Sequence, residues 1–494
     1  MKILIIDHNF DQDIAALKEA QNGHEFRVVS ASGLSKIAGR ILPAWAFSSF
    51  KPEDFSQADY IKRYRIYGEC VRQIMHKTYM TFPFDVIISP TDTIVYIRPL
   101  VAIAHELGVP FIVVMKETTV MPLFMTENAA TICQVFPFIG DLMLVCSERL
   151  KQFWLNAGTS KDNIVVTGQP RFDFYSLNKK LCALKEPKQV TRNRPTVLFL
   201  SYDVDITYEI GREATHTWIQ LRDDTESSLL KLARLGFIDV LIKPHPQQTE
   251  LINYRKKLKK LAGDMWGTTV QYISEDLDAR CLIASADIVV GFQTTALIEA
   301  MAARKKVVYT FWTQLTELFA ADLLPFHKMN GAISVAHSPA EFENILTSYT
   351  QYPMTGDGEM QRLQFVTEHL GLVDGSSAKR CISMIEAFCL KYAEQTTVNI
   401  VDLRDKLNKL APAYCKQQLH RQVWLVAPFW RLIELFLPVL HPVWTTLRRL
   451  VGRPGPAFTH RRVTDRRCAA EELAINCRTA LDQINGRKFF RQKA

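Results

Sequence analysis

A lysine and a histidine flanked by prolines, in IKPHP (242–246), close a run of large aliphatic residues that starts at Ile238. A buried strand over 238–243 that ends in Lys243, Pro244 and His245 brings an ammonium and an imidazole out at its carboxyl end. The two prolines stiffen the backbone there. Such a pair suits a phosphate or diphosphate; a strand terminus closed by a capping histidine is the plainer alternative. A second stretch, SADIVVGFQTTALIEAMAA (285–303), repeats the theme. Its strand 286–291 ends at Gly291, and Thr294 and Thr295 then stand at the first turn of a helix over 294–303. Hydroxyls and unpaired amide N–H groups at a helix start make an anion site. Glu299, one turn later, can reach sugar hydroxyls. The alternative is an N-cap pair and a solvated glutamate. Two phosphate-suited strand ends in one sheet support each other.

Chemistry on a ligand held at these strand ends also needs a group that can take a proton. Glu117 in FIVVMKETTV (111–120) follows a strand and has Lys116 beside it; Asp92 in ISPTDT (88–93) follows another. Asp7 and His8 follow the first strand. A helix cap or loop carboxylate is the alternative at each, and Glu117 ranks ahead of Asp92. Asp203 and Asp205 form an Asp-x-Asp pair that can bind a divalent metal, although three residues match by chance often. Metal-independent catalysis is the expectation, with Lys243, His245 and helix dipoles neutralising a leaving phosphate, and neither a metal nor a cofactor is called for.

The elements that must position these residues alternate along the chain. Strands are expected at 2–6, 26–30, 85–89, 110–115, 142–146, 164–167, 196–202, 238–243, 269–273, 286–291 and 306–311. Helices are expected between them, for example at 95–107, 148–156, 223–235, 249–262, 277–285, 294–303 and 339–350. The strands are continuously apolar instead of alternating, as in parallel sheets covered on both faces. The fold class is therefore α/β, with two Rossmann-like doubly wound domains. The polar, basic stretch 175–195 divides them into domains over 1–174 and 196–394. A ligand cleft is expected between them, at the carboxyl ends of the strands.

The 494-residue chain carries a net charge of +9, unevenly placed. Residues 395–494 hold 18 Lys/Arg against 7 Asp/Glu, leaving 42 against 44 for the remainder, so any anionic surface should be met by this basic tail. Within it, Trp424, Trp430 and Trp444 lie among arginines, and 420–467 suits an anionic membrane surface. A helix packed back on the first domain is the alternative for 420–450. The most apolar stretch, 424–444, is broken by Arg431, Glu434, His441 and three prolines, so a spanning helix is not expected. MKILIID is read as a first strand and not a signal peptide. Ten scattered cysteines without a CxxC pair point to a reducing compartment. Composition that is 48 % hydrophobic and 22 % charged excludes a largely disordered chain, and no nucleic-acid module is recognisable.

Three segments resemble the GT-B glycosyltransferase superfamily of bacterial envelope polymers, which includes CDP-glycerol glycerophosphotransferases and capsular sialyl- and polysialyltransferases. VVTGQPRFD (165–173) resembles their Gly-x-Pro-Arg-x-Asp sequence, IKPHP their His-Pro motif, and GFQTTALIEA (291–300) their Ser/Thr motif with its Glu-Ala pair. The resemblance implies that 1–174 is the acceptor domain and 196–394 the nucleotide-donor domain. It further implies that Lys243, His245, Thr294 and Thr295 hold the donor's phosphates, that Glu299 holds its ribose and that Arg171 lies near the cleft. The Trp-His-Gly-Thr-Pro and acidic-acidic-Gly motifs of those families are absent from the N-terminal half. The expected activity is transfer of a sugar or polyol phosphate from a nucleotide donor, CMP or CDP first and UDP next, to a glycan or lipid-linked acceptor. The enzyme would be cytoplasmic, at the inner face of the membrane. A nucleotide-sugar 2-epimerase and a catalytically inactive scaffold are the alternatives.

Overall fold

A computed structural model describes residues 1–20, 23–122, 124–177, 194–202, 215–245, 251–273, 277–313, 318–329, 331–348 and 356–410. The first sheet contains β1 (Lys2–Asp7), β2 (Glu25–Ser30), β3 (Val86–Ser89), β4 (Phe111–Val114), β5 (Leu142–Val145) and β6 (Ile164–Val166). The second contains β7 (Thr196–Leu200), β8 (Asp239–Lys243), β9 (Val270–Tyr272), β10 (Ile288–Gly291), β11 (Lys306–Thr310) and β12 (Ser334–Ala336). Every neighbouring pair is parallel, in the orders β2-β1-β3-β4-β5-β6 and β12-β11-β10-β7-β8-β9. The expected pair of doubly wound α/β sheets is present. The eleven strands expected from apolar runs all form, because residues such as Ile3, Leu4, Ile5 and Ile6 are covered on both faces.

Strand order reverses between β1 and β3 in the first sheet and between β7 and β10 in the second, and crevices for ligands open at such switch points. Lys243 pairs in register with Leu200, which pairs with Gly291 on its other side. The two phosphate-suited strand ends therefore flank β7, about 10 Å apart at about 4.8 Å per strand.

Both sheets lie in one compact unit, Met1–Cys389; a second unit begins at Leu390 and is described only through Leu410. The long helix Ser377–Leu410 follows the second sheet in sequence, yet Cys381, Ile382 and Ile385 pack with Ile3, Ile5, Val86 and Ile112 of the first. Its start is held by the segment VVTGQPRFD (165–173). Asp173 accepts from the amides of Ser377 (2.9 Å) and Ala378 (2.8 Å), a carboxylate placed where a helix N-terminus favours negative charge. Gly168 (φ +81°) and Gly371 (φ +81°) allow close crossing: a Cβ at Gly371 would overlap the carbonyl oxygen of Cys146. Among the described residues no helix is long and apolar enough to cross a membrane. The basic stretch 420–467 lies outside the described residues, as do Asp203, Asp205 and 178–193 of the expected linker.

Candidate active site

Arg171, in the short turn Pro170–Phe172 after β6, stands where the two sheets meet. Its backbone N–H (2.9 Å) and its guanidinium Nη1 (3.2 Å) both donate to Asp13, and Gln169 Nε2 donates to the same carboxylate at 2.8 Å. Asp13 is 1 % exposed on helix Asp11–Glu19, so the arginine is tethered by main chain and side chain to a buried anion. Burial alone would pull the Arg171 pKa down. Asp13, Glu299 and Glu117, all within electrostatic reach, outweigh it and raise the pKa, so the group stays cationic.

The wall from the second sheet is densely bonded. Thr294 caps helix Thr295–Ala302, its hydroxyl accepting from the Ala296 amide at 3.3 Å. A Cβ on Gly291 would press on the side chains of Leu297 and Thr294 at 3.3 Å, which explains the glycine before this turn. Gln293, in the left-handed region (φ 42°), donates to Tyr309 Oη (2.8 Å) and Leu324 O (3.0 Å) and accepts from Leu324 N (2.9 Å). Lys243 is buried at the end of β8 and His245 half-buried two residues on. Glu299 is not a solvated glutamate. Its Oε2 accepts from Tyr175 Oη at 2.6 Å, and burial raises its pKa against the opposing pull of Arg171, Tyr175 and Arg280. Arg280 grips Asp278 and donates to the Arg171 carbonyl at 3.0 Å; Gln12 donates to Asp278 at 2.9 Å, so both sheets share one polar seam.

The wall from the first sheet is more open. Glu117, 74 % exposed, is 3.6 Å from Lys116 Nζ. His8, after β1, meets Tyr96 Oη through Nδ1 at 3.3 Å. Burial and the nearby Lys116 ammonium lower the His8 pKa against the pull of Glu117, which favours a neutral imidazole. Asp7 accepts from the Phe10 amide at 3.1 Å and closes the turn after β1. Asp92 is fully buried and faces the chain before β5, where its Oδ2 accepts from the amides of Ile139 (2.7 Å) and Gly140 (3.1 Å). Burial raises its pKa despite these bonds and Arg98, and Oδ1 has no hydrogen-bond partner among the described residues.

Of the residues singled out from sequence, Arg171, Glu117 and Glu299 thus share one neighbourhood. Lys243, His245, Thr294 and Thr295 lie on the second sheet's strand ends, and Asp92 is engaged in holding a loop. Asp13, Tyr175, Arg280 and Tyr96 were not anticipated. Nothing local marks Asp13, whose partners lie 156 and 158 residues away. Tyr175 falls inside the polar stretch read as a linker, whereas it sits in helix Asp173–Leu177 against the second sheet's core. Among the described residues no group of three or more His, Cys, Asp or Glu could hold a metal ion.

No protein-family profile matches the chain, and no curated protein matches its sequence. Similar solved structures include a UDP-N-acetylglucosamine 2-epimerase from Listeria monocytogenes, described as putative (12 % identity, TM-score 0.48, covering 79 % of this chain and 97 % of that one). Another is the UDP-GlcNAc 2-epimerase of Neisseria meningitidis bound to UDP-GlcNAc (13 %, 0.45, 78 % and 100 %). A third is Anabaena HepE in complex with UDP-glucose (12 %, 0.41, 81 % and 100 %).

Proposed function

We propose that the chain is an enzyme that moves a unit from a nucleotide-activated sugar or polyol to a glycan or lipid-linked acceptor, with the donor on the second sheet and the acceptor on the first. The observation that supports this reading is the position of Arg171, a tethered, permanently charged guanidinium between a carboxylate of each sheet. A cation held in place by Asp13 needs no reorganisation as a phosphate leaves. Lys243, His245 and the Thr294–Thr295 helix start would bind the donor's phosphates, and Glu299, held by Tyr175, its ribose. Glu117, exposed and next to neutral His8, would take the acceptor's proton. The donor is a pyrimidine nucleotide, cytidine or uridine, and the enzyme works at the inner membrane face through 420–467.

A second reading, nucleotide-sugar 2-epimerisation, is favoured by the same pair of carboxylates: groups on both sides of one ligand can remove and return a proton without any acceptor. Incubation of the full chain with CDP- and UDP-activated sugars, followed by chromatography of products, separates the two. Nucleotide release that depends on an added acceptor supports transfer. A new sugar epimer still attached to its nucleotide supports isomerisation, and no conversion at all contradicts both.

A further inference from the structure

Residues 42–57 connect helix Ala31–Ile41 to helix Ala58–Thr81 through two single turns, Ala44–Phe47 and Pro52–Phe55. Helix Ala58–Thr81 leads to the amino end of β3, so the connection before it stands at the carboxyl ends of the strands, beside the candidate site. It is rich in aromatic residues in two layers. Trp45 and Phe55 form the inner layer, with ring centroids 5.6 Å apart and with Tyr60 (5.3 Å from Trp45) and Phe136 (5.0 Å from Phe55) behind them. Phe47 and Phe50 form the outer layer and are 40 % and 61 % exposed. Phe47 lies 6.2 Å from Tyr96, the residue whose hydroxyl meets His8, and the Tyr96 carbonyl is held by Tyr67 Oη at 2.7 Å. Phe47 therefore leads from Tyr96, at the reactive residues, out to the surface, while Phe50, three residues on, stands on Phe136 with ring centroids 6.4 Å apart.

Two phenylalanines are thus left largely open to water on a packed aromatic bed that holds their faces in place. We infer that Phe47 and Phe50 are an acceptor subsite for a glycan chain, whose sugar rings lay their C–H faces on the aromatic faces, with the buried Tyr96 as the support beneath Phe47. The inference rests on the transferase reading, because an isomerase has no second substrate to seat. Two features favour a glycan over a lipid surface. The two exposed rings are interleaved with polar residues, Ser49 bonded to Asp54 and Lys51 exposed, which suit the hydroxyls of a sugar. Phe47 also rests on Tyr96, the hydrogen-bond partner of His8, beside which an acceptor hydroxyl would have to be presented.

The test is titration of the full chain, without nucleotide, with maltohexaose, cellohexaose and chitohexaose, read by tryptophan fluorescence and calorimetry. Vesicles of phosphatidylcholine and phosphatidylglycerol are run in parallel. The expected result is saturable binding of at least one hexasaccharide, weakened roughly tenfold or more by Phe47→Ala and by Phe50→Ala. Phe237→Ala, an exposed ring before the amino end of β8, should leave that binding unchanged, and circular dichroism checks that each variant is folded. Binding of none of the sugars, or equal binding by all variants, overturns the inference. Vesicle binding lost in the Phe47 and Phe50 variants, with no sugar effect, overturns it in favour of a lipid surface. Because nucleotide is absent, failure here is distinct from failure of the donor site, which a nucleotide panel reads separately.

Discussion

Glu299 of the second sheet is buried, bonded to Tyr175 and flanked by Arg171 and Arg280, whereas Glu117 of the first sheet faces solvent with Lys116 as its neighbour. Both lie in the field of one guanidinium. A carboxylate locked by hydrogen bonds can orient a ligand; one free at the surface can exchange its proton. The contrast teaches that residue type alone does not assign a role, since the two side chains are chemically identical and differ only in what surrounds them.

The change expected to break this arrangement most severely is Arg171→Ala. It leaves the Asp13 carboxylate buried without its cation, a loss of about 3–5 kcal/mol that urea unfolding would measure, together with loss of detectable activity. Arg171→Lys should recover little, because a lysine cannot reproduce the planar guanidinium. The next pair sharpens the contrast. Glu117→Gln should lower kcat by about 10²–10⁴ with an unchanged melting temperature, while Glu299→Gln should chiefly raise the nucleotide-sugar KM. Steady-state kinetics that found the reverse split would exchange the two roles.

Asp92→Ala should be a stability variant: it strips the Ile139 and Gly140 amides of their acceptor, at about 1–3 kcal/mol, without altering KM. Measured loss of kcat at unchanged stability would return Asp92 to the reacting groups. The smallest effect is on pH dependence. Burial and, after it, Arg149 hold His369 down to about 3. Its folded pKa lies below its unfolded value, so the unfolded state binds the proton first as pH falls. The contribution is complete above about pH 6.5 and declines from there toward pH 3. His369→Phe should flatten that part of the wild-type stability curve, and His8, half-buried and shifted the same way, should contribute less.

How much of this was legible in the sequence follows from where each signal resides. Strand β10, Gly291 and the Thr294 cap lie within a few residues of one another, so their chemistry can be read directly. The short β12 is only three residues between turns, and its apolar run is brief and broken by Ser334. Asp13 reads as an ordinary first-turn acid of a helix, because the Arg171 that gives it meaning arrives only on folding. Asp173 was visible as part of a motif, but its task, capping a helix 204 residues later, was not. The ring pairs Phe47–Tyr96 and Phe50–Phe136 likewise join separate segments that share no period.

The central claim is that the second sheet's strand ends bind a nucleotide, and thermal shift with CMP, CDP, UDP, GDP and ADP on the full chain and on His245→Ala tests it most directly. A ligand present at a hundred times its Kd and bound only by the folded state adds about 2.7 kcal/mol. The account predicts a raised melting temperature with a cytidine or uridine nucleotide that is lost in the variant. A well-folded protein indifferent to all five, or a shift unchanged by His245→Ala, would contradict it.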